Sequence, residues 1–288
     1  MRTSGYAIGR DARLGAALPR PTRERRASDV NLAGLPTRAL MPSLRNFLAP
    51  DPADYARRLA IVVPYRGRAE HLARFLPHRV TYFERDKLGR AIDYSIHIVE
   101  QLGGLPFNRG ALLNAGFRIA RDDADYFCFH DVDYLPIWAD YSYVSRPTRL
   151  IWHGLDPQTD YRAFFGAVVA FNRPDFERIN GYSNDYWGWG YEDVDLLKRC
   201  MIAGVEPAFR DGTFSTLPHR HRGYDDDATP TTEAQATART FAAKLLEGTP
   251  GFGREGLSTL AIDIGETVNW VRNGAPQMHI RHHKVAVR

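Results

Sequence analysis

The sequence predicts an α/β domain with a mostly parallel central sheet flanked by helices. Short apolar runs rich in β-branched residues alternate with segments of helical period. Each run ends at a proline or at a polar loop, which is typical of buried parallel strands. The 288 residues suffice for one large domain with appendages, and their composition is that of a globular protein.

The first half of the domain follows a strand-helix-strand-helix order. Residues 59–63 form an apolar run that stops at Pro64, and apolar residues recur at helical spacing over 70–79. Residues 94–99 predict a second strand, and residues 108–121 predict a second amphipathic helix. This order is that of a βαβα unit.

The second half begins with a third apolar strand at residues 126–130. A segment rich in Gly and Trp, residues 181–190, precedes a helix predicted from about 192 to 204. Residues 232–246 predict another helix, and residues 257–264 predict the last strand.

The two ends of the chain are predicted to lie outside the α/β domain, which spans residues 59–270. Residues 1–58 are rich in Arg, Pro and Ala and predict a largely irregular extension, either a solvated tail or a patch for anionic glycan or membrane surface. Residues 271–288 are predicted to be a C-terminal tail. The histidines within 279–283 are therefore interpreted as surface residues, with a metal site as the alternative.

Composition excludes several classes of protein. The formal charge is only +4 without one continuous basic run, which favours anionic small ligands over nucleic acid. Cys128 and Cys200 each lie in an apolar run and are expected to be buried, reduced thiols. Neither a signal peptide nor an apolar stretch of about 18 residues is found, so we expect a cytoplasmic protein without a transmembrane segment.

Two aspartates follow the third strand directly. Asp131 and Asp133 lie at its carboxyl end, where open α/β sheets bind ligands. Such carboxylates can share Mg²⁺ or Mn²⁺ with the phosphates of a nucleotide. Asp-x-Asp pairs are also common in ordinary loops, and it is the position after a buried strand that favours a metal site.

Two histidines offer further metal ligands. His219 and His221 alternate in an extended segment, so both can face one ion while Arg220 points away. Imidazole together with carboxylate favours Mn²⁺ over Mg²⁺. The alternative interpretation is two surface histidines in a basic loop.

Three arginines are predicted at the same edge of the sheet as Asp131. Arg66, Arg68 and Arg109 each follow a strand or precede a helix. Guanidinium groups there can neutralise a diphosphate or bind uracil and ribose, whereas most surface arginines are only solvated.

The segment Tyr186-Trp187-Gly188-Trp189-Gly190 does not fit one core face of a helix or a strand. Aromatic rings stack on sugars, and the glycines permit a mobile loop.

Three carboxylates, Glu192, Asp193 and Asp195, come next along the chain. A carboxylate beside a bound sugar can accept a proton from an attacking hydroxyl. The alternative is that the three only favour the helix N-terminus electrostatically.

Five segments together resemble the β-1,4-galactosyltransferase family, inverting transferases with a GT-A-type, Rossmann-like nucleotide-diphospho-sugar transferase fold. The pair His219 and His221 is similar to that of the branch that galactosylates xylose. Because signals for a membrane anchor and for disulfides are lacking, the chain resembles a bacterial-type relative. The resemblance covers roughly residues 59–264. The segments are residues 61–68, 107–117, 130–136, 164–167 and 180–195.

The resemblance implies a role for each matching residue. Asp193 is implied as the catalytic base, and the metal is implied to be Mn²⁺ bound by Asp133, His219 and His221. The implied nucleotide and donor residues are Pro64, Tyr65, Arg66, Arg68, Phe107, Arg109, Asp131, Val132, Asp133, Gly166 and Trp189. The implied acceptor and sugar-binding residues are Tyr186, Trp187, Trp189, Gly190, Glu192 and Asp193.

The implied activity is transfer of galactose from UDP-galactose to a glycan hydroxyl, with a β-1,4 linkage. Phe164 and Ala167 depart from the family pattern Tyr-Phe-Gly-Gly, which keeps an N-acetylgalactosaminyl- or N-acetylglucosaminyltransferase as an alternative. A carbohydrate-binding relative without turnover is the alternative from another class.

Overall fold

A computed structural model describes residues 57–84, 92–151, 165–218, 223 and 229–288. The strands are β1 Arg58–Tyr65, β2 Asp93–Leu102, β3 Tyr126–His130, β4 Tyr134–Ala139, β5 Thr148–Arg149, β6 Val168–Asn172, β7 Ala208–Phe209, β8 Gly212–Thr216, β9 Ile262–Arg272 and β10 Ala275–Val287. The α-helices are α1 Ala69–Glu84, α2 Arg109–Ala120, α3 Arg173–Arg178, α4 Glu192–Ile202 and α5 Thr232–Glu247. Short 3₁₀ turns lie at Thr249–Gly251 and Leu257–Thr259.

Within the described residues, eight strands form one sheet in the order β7-β5-β6-β3-β1-β2-β10-β9. The four central strands β3, β1, β2 and β10 are parallel, while β6 and β9 run antiparallel to their inner neighbours. The predicted α/β class with a mostly parallel central sheet is confirmed. Strands β4 and β8 form a separate antiparallel pair.

The side chains of β1 alternate between two cores. Leu59 and Ile61 pack with Phe75 of α1 on one face, and Val62 packs with Leu112 of α2 on the other. Because successive residues of a strand point to opposite faces, one apolar strand fills both layers. The sheet is therefore enclosed by helices on both sides.

The predicted C-terminal tail is wrong. Residues 275–287 form β10, which lies inside the sheet between β2 and β9, so the catalytic fold does not end at residue 270. The predicted last strand at 257–264 is displaced as well, since the strand begins at Ile262. The sequence did not predict β10, because its apolar residues alternate with polar residues that include histidine, a pattern typical of a solvated segment.

A pair of buried histidines connects strands β2, β10 and β9. His97 of β2 and His283 of β10 are 1% and 3% exposed, their rings stack at 5.3 Å, and His97 Nδ1 lies 3.1 Å from His283 Nε2. Ser95 and Thr267 contact the outer ring nitrogens at 3.0 Å each. His283 is thus a buried member of the sheet and not a surface residue, whereas His279 and His282 are half-buried.

Three sequence predictions have separate outcomes. Cys128 and Cys200 are both buried and unpaired, as expected. No helix in the described ranges has the length and apolar character needed to cross a membrane. The extension predicted for residues 1–58 lies almost wholly outside the described residues, and the cytoplasmic location stays a prediction.

We predict that the histidine pair makes the free energy of unfolding decrease as the pH is lowered below about 6.5. Burial, and then the neighbouring His283 and Arg281 charges, lower the pKa of His97 to about 3, and burial and Arg281 lower that of His283 to about 4. The unfolded chain binds these protons near pH 6.5, so each histidine costs about 1.4 kcal/mol per pH unit as the pH falls from there towards 4. Above pH 6.5 both states hold neutral imidazoles and the pair adds no pH dependence.

Urea unfolding at pH 7, 6 and 5 measures the slope of the free energy of unfolding against pH. In the double variant His97→Gln/His283→Gln, the slope should be clearly shallower than in the wild type. Equal slopes in the two proteins would show that the pair is not the source.

Candidate active site

The loops after β1 and β2 meet at the carboxyl edge of the sheet. Arg66 Nη1 donates to the Leu105 carbonyl at 2.6 Å, and the Arg66 guanidinium lies 5.4 Å from the centre of the Phe107 ring. Pro64 and Tyr65 are the buried last residues of β1. The first donor-binding residues predicted from sequence therefore lie together, as the parallel order of β1 and β2 requires.

The Asp131-Val132-Asp133 segment leaves β3 at the same edge. The hydrogen bonds that hold its backbone include those from Asp131 N to Ala167 O at 2.9 Å and from Leu217 N to Asp133 O at 2.8 Å. Val132 and Asp133 are both 5% exposed. Arg68 Nη1 lies 3.4 Å from Asp133 Oδ2, which brings a second predicted arginine to the segment.

Arg109 is the centre of the site. Its Nε donates to Asp131 Oδ1 at 2.7 Å and its Nη1 donates to Asp193 Oδ1 at 2.8 Å, with Glu192 Oε1 at 3.5 Å. One guanidinium thus connects the loop after β3 with the first turn of α4. Burial disfavours its charge, but the surrounding carboxylates outweigh that effect and raise the pKa of Arg109.

Arg109 keeps one unused donor. Its Nη2 is buried and has no hydrogen-bond partner among the residues that the structure describes. A buried donor without a partner costs roughly 1 to 3 kcal/mol, so such groups call for a ligand or water. The Tyr182 ring, 5.7 Å from the guanidinium, carries a buried hydroxyl with the same property.

Asp193 is a buried carboxyl group, 7% exposed, in the first turn of α4. Burial raises its pKa above the usual range, Arg109 opposes that shift, and Glu192 and Asp131 add to it. A carboxyl group whose pKa approaches neutrality suits a proton acceptor. The backbone of Gly166 lies so close that a Cβ there would be 2.0 Å from Asp193 Oδ2.

The loop formed by residues 186–191, which we call the Trp loop, lies next to Asp193. Trp189 is 37% exposed, and its main-chain carbonyl accepts from Thr237 Oγ1 at 2.7 Å. Gly188 N donates to Phe107 O at 2.7 Å, which connects the loop to the predicted nucleotide residues. Trp187 is half-buried against the core, and Gly190 is partly exposed.

The structure does not support a sugar-stacking role for Tyr186. Its side chain is 1% exposed, and its hydroxyl donates to Asp195 Oδ2 at 3.0 Å. The ring is enclosed between α4, which carries Asp195, and α5, from which Lys244 Nζ lies 5.1 Å from the ring centre. Sequence reasoning grouped Tyr186 with its exposed neighbours because a loop without periodicity does not reveal which rings face inward.

The metal site is only partly described. Asp133 is in place, whereas His219 and His221 lie outside the described residues, as does Phe164. Within the described ranges, no cluster of three or more His, Cys, Asp or Glu side chains is found. The metal-ligand set therefore stays a prediction.

Sequence reasoning missed the buried charges behind the site. Asp195 is fully buried and paired with Arg199, and Lys244 of α5 lies beside them at 6% exposure. Asp195 and Arg199 have the i, i+4 spacing of a helical ion pair, but that spacing does not show that the pair is buried. Lys244 comes from another helix, whose packing against α4 the sequence alone does not define.

Two family profiles match the chain in succession. The profile described as the N-terminal region of glycosyl transferase group 7 matches residues 37–145, and the one described as the N-terminal domain of galactosyltransferase matches residues 147–222. Together they cover every site residue described above except those of α5.

Curated relatives with similar sequences are β-1,4-galactosyltransferases. β-1,4-Galactosyltransferase 7 of Drosophila melanogaster is 34% identical over 186 residues, which are 61% of this chain and 56% of the fly protein. β-1,4-Galactosyltransferase 5 of Mus musculus is 38% identical over 184 residues, 60% of this chain and 46% of the mouse protein. The matched region thus spans about half the length of these relatives.

Solved structures agree. The catalytic domain of the Drosophila enzyme in complex with xylobiose has a TM-score of 0.64 and 27% identity, over 81% of this chain and 94% of that chain. A variant of the fly enzyme in complex with manganese, UDP-Gal and xylobiose has a TM-score of 0.66 at the same identity and coverage. The GT-A fold expected from the sequence is confirmed.

We predict that Gly166→Ala destabilises the protein by about 1 to 3 kcal/mol, the usual cost of overpacking. The new methyl group would overlap the Asp193 carboxylate, which Arg109 holds in place. Gly104→Ala is the matched control, because a Cβ at Gly104 meets nothing within 4 Å, and its effect should stay within about 0.5 kcal/mol. Urea unfolding measures both values, and equal stabilities would contradict the close approach.

Proposed function

Because this chain belongs to the β-1,4-galactosyltransferase family, we propose that it is an inverting galactosyltransferase. The reaction is transfer of galactose from UDP-galactose to a sugar hydroxyl of a glycan acceptor, forming a β-1,4 linkage. One observation carries the proposal: Arg109 holds the carboxylate after β3 and the buried carboxylate of α4 against one guanidinium. The residues proposed for donor binding and for proton removal therefore meet at one guanidinium.

The donor side is supported by cations and by an aromatic ring at one edge of the sheet. Phe107, covered by Arg66, offers a flat surface for uracil, and Arg68 together with Arg109 brings positive charge to the diphosphate. Arg109 Nη2, which has no partner among the described residues, is a donor for a ligand oxygen. Asp131 and Val132 complete the wall between these groups.

The acceptor side is supported by Trp189 and by the acidic first turn of α4. The exposed part of the Trp189 ring can cover a sugar face. Glu192 lies beside Asp193 at the same guanidinium and is placed to accept a hydrogen bond from a sugar hydroxyl. Xylobiose, found with the Drosophila enzyme, is therefore a rational first acceptor to test.

We propose Mn²⁺ as the cofactor, bound by Asp133, His219 and His221. A carboxylate with two imidazoles suits Mn²⁺ better than Mg²⁺. When bound, the ion neutralises charge on the departing diphosphate. The Drosophila structure with manganese and UDP-Gal supports this choice of metal in a relative.

The proposed reaction is a single displacement carried out by the chain's own residues. Asp193 removes the proton from the acceptor hydroxyl, whose oxygen attacks the anomeric carbon as the bond to UDP breaks. Arg68 and Arg109 stabilise the negative charge of the leaving diphosphate. Attack from the face opposite to the leaving group inverts the anomeric configuration.

The alternative donors carry an N-acetyl group. The Ala167 methyl group, which replaces a family glycine, lies in the core and the residue is 1% exposed, so it does not narrow an open pocket. The burial of Ala167 thus gives no reason to favour an N-acetylated donor, and the β-1,4-galactosyltransferase relatives support galactose. Initial rates with UDP-galactose, UDP-GalNAc and UDP-GlcNAc decide between them, and sugar binding without UDP release from any donor would identify a non-catalytic carbohydrate-binding protein.

We predict that Asp193→Asn lowers kcat by about 10²- to 10⁴-fold, the usual contribution of a general base, while UDP still binds. Release of UDP from UDP-galactose with Mn²⁺ and xylobiose measures the rate. Asp122→Asn is the control, because Asp122 is an exposed aspartate, and it should keep the wild-type rate. Wild-type turnover by a folded Asp193→Asn protein would remove Asp193 from the role of base.

Chelation tests the metal separately. EDTA should abolish UDP release, and Mn²⁺ should restore it more effectively than Mg²⁺ at equal concentration. Undiminished turnover after dialysis against EDTA would contradict a metal-dependent reaction.

A further inference from the structure

One face of α5 carries the Trp loop. Thr237, Phe241 and Lys244 are spaced four and three residues apart, so their side chains project from the same side of the helix. Thr237 Oγ1 donates to Trp189 O at 2.7 Å, and the Phe241 ring stacks on Tyr191 at 5.2 Å. Lys244 reaches the first residue of the loop, Tyr186. The helix thus contacts the beginning, the tip and the end of the loop.

Lys244 is a buried cation surrounded by carboxylates. Its Nζ donates to Glu255 Oε1, lies 3.2 Å from Asp185 Oδ2 and 3.6 Å from Asp195 Oδ2, and donates to Ser183 Oγ at 2.8 Å. A buried ammonium group is tolerated only with such partners, and each partner is in turn held in place by it.

Asp195 connects Lys244 to the first turn of α4. It is fully buried, accepts from the Tyr186 hydroxyl and from Arg199 Nε, and its backbone N donates to Tyr191 O at 2.9 Å. Asp193 lies two residues earlier on the same turn. Any rotation of that turn about the helix axis would move the Asp193 carboxylate away from Arg109.

We propose that Thr237 and Lys244 are positioning residues for the transfer reaction. Through Trp189 O and through Asp195 with Tyr186, α5 holds the Trp loop and the first turn of α4 in one arrangement. These contacts keep Trp189 and Asp193 in the positions that the proposed transfer reaction needs. This inference rests on the proposed function, and neither residue touches the reacting atoms.

The Thr237 contact is tested by Thr237→Val, which keeps the shape and removes the hydroxyl. Thr240→Val is the matched control, because within the described part of the chain the Thr240 hydroxyl bonds only to Ala236 O of α5. Thr237→Val should lower kcat about 10- to 100-fold, since misplacement by 1 Å costs up to about 10²-fold, with an unchanged Kd for UDP. Thr237→Ser should restore most of the rate, and Thr240→Val should keep it.

The Lys244 contact is tested by Lys244→Met against Lys284→Met. Lys284 pairs with Glu266 on an exposed surface of β10, so its replacement removes a lysine without touching α5. Lys244→Met should lower kcat by a similar factor, and Lys284→Met should not. Should Lys244→Met fail to fold, Tyr186→Phe removes one hydroxyl from the same cluster and takes its place, with a smaller expected loss.

Hydrogen exchange supplies a readout that does not depend on turnover. Amide exchange of residues 186–195 should become faster in Thr237→Val and in Lys244→Met, and should match the wild type in the two controls. Unchanged exchange and unchanged kcat in both variants would overturn the inference. An inactive wild type whose variants still show faster exchange would instead disprove only the proposed function.

Discussion

The site depends on one buried guanidinium shared by two carboxylates. Arg109 enters from the first residue of α2, a position set by the Asn108 side chain, which accepts from Ala111 N at 2.9 Å and caps the helix. Without Arg109, Asp131 and Asp193 would oppose each other across a site with little water. Breaking a buried ion pair costs roughly 3 to 5 kcal/mol, so Arg109 is needed for stability in addition to the role in donor binding that we propose for it. The other buried charges near the Trp loop, Lys244 and Asp195, also stabilise each other as an ion pair of opposite charges.

Parallel strand order explains how distant residues reach this guanidinium. Strands β1, β2 and β3 all end at one edge of the sheet, so the loops that carry Arg68, Phe107 and Asp131 meet there. The antiparallel β6 begins just after Gly166, which brings that glycine against Asp193. The order of the strands, more than any single motif, thus brings the candidate site residues together.

The sequence predicted the parts whose periodicity is strong. Strands β1 to β3 and helices α1, α2, α4 and α5 were expected near their observed positions, because their apolar residues recur at strand or helix spacing. Strand β10 was missed, because polar side chains such as the buried His283 interrupt its apolar pattern, and β9 was predicted only at its first residues. Arg109, Asp131 and Asp193 were predicted site residues and do meet, whereas Tyr186 turned inward and Lys244 was not foreseen. His219 and His221 stay predictions.

A double-mutant cycle between Arg109→Met and Asp193→Asn tests the central claim most directly. The free energies of unfolding of the wild type, the two single variants and the double variant are measured in urea at pH 7. A direct contact at 2.8 Å predicts a coupling of about 1 to 3 kcal/mol between the two substitutions. Additivity within about 0.5 kcal/mol would contradict the account, because the two side chains would then not act on each other.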